Sequence, residues 1–399
     1  MICKITNKSI NSFMSFGKMP ISNNFLKKEN FNEEFFYNMT VGFSEEVSLF
    51  QLGDYPKPEQ MFNKNYPFFT SSSKYMVKHF QKYAEWVMKN YLKDKSKVIE
   101  IGSNDGTMLK NFINSGFDVL GIEPSSNCAK IANQKSVKTI NKFFNLDLID
   151  NLGEHIENTE AIIAANCICH IPDLTGVFTA INRLLSKSGV FIFEEPYLGS
   201  MFKKISYDQI YDEHIFIFSV SAINKIAKIF DLDLVDVIEQ PTHGGSMRYV
   251  LSRKNKKPIS KNVNYFLEKE KLNGHDTIEG CNIFKKDCEI SKNNLQNKVN
   301  EIKNKNKKIV GYAATSKSTT ILNYCDIGIE SIDCIYDTTK EKIGKYSPGK
   351  HIPIISHENF IENYPDYAYL FAWNHKEEIF KKEKDYISKG GKWFSHVEL

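Results

Sequence analysis

The stretch KVIEIGSNDGTMLKNFINSGFDVLGIEPS, Lys97–Ser125, reads as strand, glycine-containing turn, helix and second strand. Glu100, Gly102, Asn104, Asp105 and Gly106 stand at the first strand-to-helix turn. Glycine there lets a ligand approach the backbone, and a helix N-terminus offers free N–H groups. The spacing is G-x-x-x-G rather than G-x-G-x-x-G, and the acids beside the turn would repel a pyrophosphate. They suit a ligand with a cationic centre and an amino-acid end. The second strand ends in Glu123, where a carboxylate can accept both hydroxyls of a ribose. Turn and acid together favour S-adenosylmethionine over a nicotinamide dinucleotide.

Working outward, SSSKYMVKHFQKYAEWVMKNYL, Ser71–Leu92, reads as a serine-capped helix with Tyr75, Val77, Phe80, Tyr83, Trp86 and Val87 on its apolar face. Further strands are expected from Ala161 and over Gly189–Leu198. Strands alternating with helices predict a parallel, doubly wound α/β sheet. A second, smaller α/β unit begins near Lys307, after a helical connector at 262–306. The first seventy residues are irregular. Three parts are expected: residues 1–70, 71–255 and 256–399.

A chain of 399 residues is too long for one ordinary domain. The net charge of +4 is spread over many lysines. The basic run Lys285–Lys308 reads as a solvated helix with Ile290, Leu295, Val299 and Ile302 as apolar positions. No aromatics interleave with that charge, so no nucleic-acid partner is expected. The first residues lack an apolar signal region, and no apolar segment is long enough to span a membrane. Eight scattered cysteines without a CxxC pair suit reduced thiols and a cytoplasmic location. Cys167 and Cys169 read as small buried apolar groups.

Asn166 and His170, in AANCICHIPD, lie at and beyond a strand's carboxyl end, where open α/β sheets hold ligands. His170 reads equally as a structural or a site histidine. In YDEHIFIFS, Tyr211–Ser219, the groups Tyr211, Glu213 and His214 stand before an apolar run. A histidine paired to a carboxylate is held in one tautomer and made more basic, which suits a general base. THGGSMR adds His243 and Arg248, whose guanidinium suits a phosphate or carboxylate.

These stretches, with FGKMPISNNFL, YPFFTSSSKYMVKHF, VGYAATSKSTTILNY and GKYSPGKHIPI, resemble in order and spacing the sugar C-methyltransferases, over nearly the whole chain. The resemblance implies a Rossmann-like class I methyltransferase domain between a small zinc-binding-like N-terminal domain and a C-terminal Rossmann-like α/β domain. It implies S-adenosylmethionine as cofactor and a nucleotide-linked 4-keto-deoxy sugar as substrate. A base would remove the proton at sugar carbon 3, and the enolate would attack the sulfonium methyl. On that analogy His214 is the base, Glu213 orients it, and Tyr211 and His170 hydrogen-bond substrate oxygens. Tyr66 or Phe68 matches the family's active-site tyrosine, and only Tyr66 carries a hydroxyl. Ser316 and Lys317, at a helix start, would help hold the nucleotide diphosphate; a purely structural turn reads almost as well. Lys345, Tyr346 and Trp373 carry no assigned role.

In one place the chain departs from the family. The two CxxC pairs that bind zinc become Cys3 and Thr6, and Ser44 and Val47. Hydroxyls are poor zinc ligands, so no structural zinc is expected. Phe13, Phe16, Phe25, Phe43 and Leu49 would hold the fold instead. Two other functions stay open: an O- or N-methyltransferase of a nucleotide sugar, and a non-catalytic nucleotide-sugar binding homologue. The sequence leaves the oligomeric state open.

Overall fold

The computed structural model describes residues 1–64, 66 and 68–398. Its largest sheet has seven strands. In spatial order they are Leu232–Gln240, Ser246–Arg253, Leu185–Pro196, Thr159–Ala165, Lys97–Ile101, Asp118–Ile122 and Thr139–Ile140. Ser246–Arg253 runs antiparallel to both neighbours, and the other pairings are parallel. The parallel strands are buried on both faces, which is why they read as near-continuous apolar runs. From Lys97–Ile101 the chain first builds the sheet in one direction and then, at Thr159–Ala165, in the other. The carboxyl ends of those two adjacent strands form the switch point where α/β sheets bind ligands.

A second sheet repeats the logic. Its order is Ile354–Ser356, Ile335–Asp337, Ile309–Tyr312, Tyr367–Leu370 and Lys392–Phe394, all parallel. Two helices, Lys261–Leu272 and Ile278–Asn304, connect the sheets. The second starts earlier than the charge run suggested. It buries Leu295, Val299 and Ile302 but leaves Ile290 exposed. The helix expected at Ser71–Leu92 spans Lys74–Tyr91, with the Ser73 side chain accepting from the Met76 N–H. Phe80, Tyr83 and Val87 are buried, whereas Tyr75 and Val77 face solvent. Among the described residues no helix is long and apolar enough to cross a membrane.

The N-terminal sheet is Ser12–Pro20, Phe36–Ser44, Leu49–Leu52 and, as its fourth strand, Phe216–Ile217. That last strand follows the YDEH stretch directly, so the N-terminal region is hydrogen-bonded to the segment that carries it.

The positions where zinc ligands would stand converge, but their chemistry does not fit the metal. The Cys3 Sγ accepts from the Thr6 N–H at 3.5 Å. Burial pushes the Cys3 thiol up, yet hydrogen bonds from Ser44 and Thr6 outweigh it and leave its pKa below the ordinary value. Val47 is buried beside Cys3 and Leu49 in the core. One thiol, two hydroxyls and a hydrocarbon do not make a tetrahedral zinc site. Phe16, Phe25, Phe43 and Leu49 are buried and Phe13 packs against them or their neighbours. Each such side chain contributes about 1.5–3 kcal/mol when fully buried. Metal analysis of the purified protein is therefore expected to find no stoichiometric zinc, and a strong chelator to leave Tm unchanged. A chelator-induced loss of Tm would contradict this.

Candidate active site

A cleft of about 870 Å³ opens where the three sheets meet. Its cofactor side is formed by Gly102, Asn104, Glu123 and Asn166, at the carboxyl ends of the central strands. Gly102 has φ +69°, and a Cβ there would lie 2.5 Å from the Cys167 Sγ. Only glycine permits that close crossing. The Glu123 carboxylate accepts from the Asn104 N–H at 2.9 Å and the Ser125 N–H at 2.7 Å. These bonds orient it and leave lone pairs for a diol. Burial raises its pKa. Asn166 has φ +52°, and its Oδ1 is buried without a partner. Ile122, Phe143 and Phe144 supply an apolar wall beside Glu123. An acid, an orphaned amide oxygen and an apolar slot fit an adenosine-bearing ligand.

Three residues expected at the cofactor instead build the turn. Asp105 is fully buried and accepts from the Ser71 N–H, Thr107 Oγ1 and Lys135 Nζ, at 3.2, 2.6 and 3.1 Å. Gly106, at φ +77°, packs on Val137, and Glu100 lies buried behind the cleft wall. Burial and the charges of Glu123 and Asp105 hold the Glu100 carboxyl well above its ordinary pKa. Asp105 thus ties the turn to Ser71, Thr107 and Lys135, and Gly106 supplies its positive φ.

On the other side of the cleft, aromatic rings follow one another. Phe62 stacks on His170 at 5.5 Å, His170 on His214 at 5.4 Å, and Tyr211 leans on His214 at 4.1 Å between centroids. His214 Nδ1 lies 2.7 Å from the Gln209 carbonyl oxygen, which can only accept. The proton therefore sits on Nδ1, and Nε2 carries the lone pair. The Tyr211 hydroxyl donates to that lone pair at 2.8 Å. Burial and His170 hold the His214 pKa well below its ordinary value. Burial pushes His170 down to about 3, and burial with Lys317 does the same to His243. All three imidazoles are neutral at physiological pH. The Nε2 of His170 and of His243 are buried without partners.

Glu213 does not orient His214, contrary to the expected pairing. The turn Tyr211–His214, closed by the His214 N–H on the Tyr211 carbonyl at 2.9 Å, brings the first and fourth side chains together. It sends the two acids elsewhere. Asp212 accepts from the Ser22 N–H at 3.1 Å, and Glu213 from Asn23 Nδ2 at 2.6 Å. Burial and the Asp212 charge raise the Glu213 pKa. Tyr66 lines the cleft; burial and then Glu213 and Glu123 keep its phenol protonated. Phe68 also lines the cleft but is half exposed.

Arg248 is not a substrate anchor. Its Nε donates to Glu194 Oε1 at 2.7 Å, with Nη2 on the same oxygen, and its guanidinium lies 3.9 Å from the Tyr83 ring centroid. It sits in an antiparallel strand opposite Glu194, so its side chain is spent across the sheet. His243, Ser316 and Lys317 do line the cleft. Lys317 Nζ donates to Asn374 Oδ1 at 3.1 Å and lies 4.5 Å from the Trp373 ring. Trp373 itself donates to Asp208 at 2.6 Å, and Tyr346 pairs with Leu26, which puts both in the scaffold.

Sequence reasoning missed Asn23, Gln209 and Glu195. Glu195 accepts from the N–H groups of Cys167, Ile168 and Cys169, at 2.9, 2.7 and 3.3 Å, and so fixes the turn that presents His170. Its burial pushes its pKa up to about 7. The acid pair EEP was the available signal, but nothing local says where either carboxylate points. Among the described residues, the ligand atoms of Cys169, His170 and His214 come within 4.8 Å of one another. Burial and Glu195 hold the Cys169 thiol protonated, and both His214 nitrogens are already engaged, so the set is not a prepared metal site.

Three family models match in chain order: a putative zinc binding domain at residues 2–62, a methyltransferase domain at 76–237 and a C-methyltransferase C-terminal domain at 241–397. The chain is 29% identical over 383 residues to C-methyltransferase NovU of Streptomyces niveus, covering 95% of this chain and 91% of that one. It is 26% identical over 164 residues to carboxy-S-adenosyl-L-methionine synthase of Nautilia profundicola, covering 39% of this chain and 64% of that one. Among solved structures, the PH0226 protein of Pyrococcus horikoshii OT3 overlays with TM-score 0.38 at 18% identity, covering 50% of this chain and 100% of that one. Magnesium protoporphyrin IX methyltransferase of Synechocystis PCC 6803, with bound SAH, gives TM-score 0.35 at 14%, covering 45% and 83%. The sheet order, the Glu123 cleft and the family match make the chain an S-adenosylmethionine-dependent methyltransferase. Within that class its C-terminal part matches the C-methyltransferase C-terminal domain, and nearly the whole chain is similar to a C-methyltransferase.

Proposed function

We propose that the protein methylates carbon 3 of a nucleotide-linked 4-keto-deoxy sugar through an enolate. The observation that carries this reading is the Tyr211–His214 pair, with His170, in the same cleft as Glu123. A carbon acid needs a base and a donor for the enolate oxygen. Transfer to oxygen or nitrogen needs no such carbon base, and a mere binding protein needs no unpaired imidazoles.

When bound, S-adenosylmethionine supplies an electrophilic methyl group. Glu123 would hold its ribose, with Gly102 and Asn166 beside it. The substrate's keto oxygen would take the Tyr211 hydroxyl away from His214 Nε2. The freed lone pair then removes the carbon 3 proton, and the C–H electrons move into the enolate. Tyr211, Tyr66 and His170 stand as candidates to hydrogen-bond the sugar oxygens. With Glu123, Gly102 and Asn166 holding the cofactor, the methyl that carbon 3 gains would come from its sulfonium, which would depart as the neutral thioether. His243, Ser316 and Lys317 would face the nucleotide diphosphate; the lysine carries the positive charge.

Glu213 supports a second assignment of the base. It lines the same cleft, and its raised pKa makes it a stronger base, when ionised, than an ordinary carboxylate.

Product analysis tests the proposal. The protein is incubated with methyl-labelled S-adenosylmethionine and a panel of nucleotide-linked 4-keto-6-deoxy sugars, and products are read by mass spectrometry and carbon-13 NMR. Label on sugar carbon 3, with loss of its hydrogen, is expected. Label on oxygen or nitrogen would overturn the enolate route, and no transfer to any sugar would overturn the substrate class.

A further inference from the structure

The N-terminal region does more than cover the cleft. Its turn Ile21–Phe25 is fastened to the Tyr211–His214 turn and to the helix Ser316–Tyr324 of the C-terminal unit. The Ser22 N–H donates to Asp212, and the Ser22 carbonyl accepts from Thr319 Oγ1 at 2.8 Å. One residue beyond the turn, Leu26 exchanges backbone hydrogen bonds with Tyr346 at 3.3 and 2.9 Å. Between these anchors Asn23 enters the cleft, and its Nδ2 meets Glu213 Oε1 at 2.6 Å.

We infer that Asn23 is a positioning residue that aims the Glu213 carboxylate into the cleft, so that the N-terminal region completes the active site. The inference rests on Glu213 serving the proposed methyl transfer. A carboxylate with free rotamers would lose the geometry of its free oxygen, whereas an amide donor held by a doubly anchored turn fixes it. A donor hydrogen bond also favours the ionised form. Glu213 needs that help. Burial and the adjacent Asp212 oppose its charge, and the remaining charge in its favour is Lys342, whose Nζ already donates to the Ala314 carbonyl at 2.7 Å. The other titrating groups that feel Glu213, Tyr66, Tyr211 and Cys169, are protonated and uncharged. Asn23 thus adds a second link between the N-terminal region and the segment that its sheet already pairs with at Phe216–Ile217. It also gives that sheet a task that survives the loss of zinc ligands.

The test uses full-length Asn23→Ala, Glu213→Gln and the double variant. Asn23→Ala is expected to lower kcat by about 10- to 100-fold, the range of a lost charge-assisted hydrogen bond. The cofactor Kd, measured by calorimetry, stays unchanged. The double variant is expected to be no worse than Glu213→Gln, because Asn23 acts through Glu213. With carbon-13-labelled glutamate, and Glu213→Gln to assign the signal, the Glu213 carboxyl is expected to titrate at higher pH in Asn23→Ala. Additive losses, or an unmoved titration, would overturn the inference. If Asn23→Ala does not fold, the same-shaped Asn23→Asp removes the donor and adds a like charge, and a larger upward shift is expected. The NMR titration needs no substrate. It still decides the role of Asn23 if no sugar is methylated, an outcome that would count against the proposed function alone.

Discussion

Replacing His214 with alanine is expected to lower kcat by about 10²- to 10⁴-fold, the range of a lost general base. The cofactor Kd should hold, because Glu123 and its partners Asn104 and Ser125 are untouched. Exchange of the substrate's carbon 3 hydrogen with solvent should stop as well. That second readout separates proton removal from methyl transfer. The pH profile carries the same information. Burial and His170 hold the His214 pKa well below 6.5, so its lone pair is lost only when pH falls through that lowered value. A profile flat across the neutral range is expected. Burial and Asp212 place Glu213 above the ordinary carboxylate value, so a Glu213 base would lose activity as pH falls through that raised value. Near-normal turnover in His214→Ala, with inactive Glu213→Gln, would transfer the base to Glu213.

Arg248→Met is expected to cost about 3–5 kcal/mol of stability, as removal of one partner of a buried ion pair does. It should leave the substrate KM nearly unchanged. Arg248 is 5% exposed, and its guanidinium lies on Glu194 and packs on Tyr83 and Trp86. Burial raises the Glu194 pKa, but His79 and Arg248 outweigh it and hold the carboxyl below 4.5. That stabilisation is present above the unfolded value and is lost as pH falls through the folded one. In Arg248→Met it would shrink to what His79 alone supplies. Denaturant unfolding at several pH values measures both effects. A raised KM with stability intact would restore Arg248 as a substrate anchor.

Arg248 and Glu213 show where reading one chain runs out. Both sit in motifs whose residue types suit ligand binding, and both look alike in a line of letters. Partner choice depends on what lies across the sheet or across 190 positions of chain: Glu194 for Arg248, Asn23 for Glu213. Asp105 and Glu100 illustrate the same limit at the cofactor turn. Acids in a tight turn read as ligand contacts, but the Ser71 N–H, Thr107 and Lys135 claim Asp105, and burial behind the turn claims Glu100.

The alternation of strands and helices, the glycine turn followed by Glu123, and the order of motifs along the chain were enough to determine the two α/β units and the cofactor class. Those features are local or periodic, and a strand's apolar run or a glycine's freedom does not depend on distant residues. The loss of zinc ligands was equally plain, since a missing thiol is missing in any fold. The tautomer of His214, the separation of Glu213 from it, the burial of Arg248 and the entry of Asn23 into the cleft needed the folded chain. Each is settled by which polar group finds a partner once water is excluded, and those partners come from a facing strand, a neighbouring turn or a distant part of the chain.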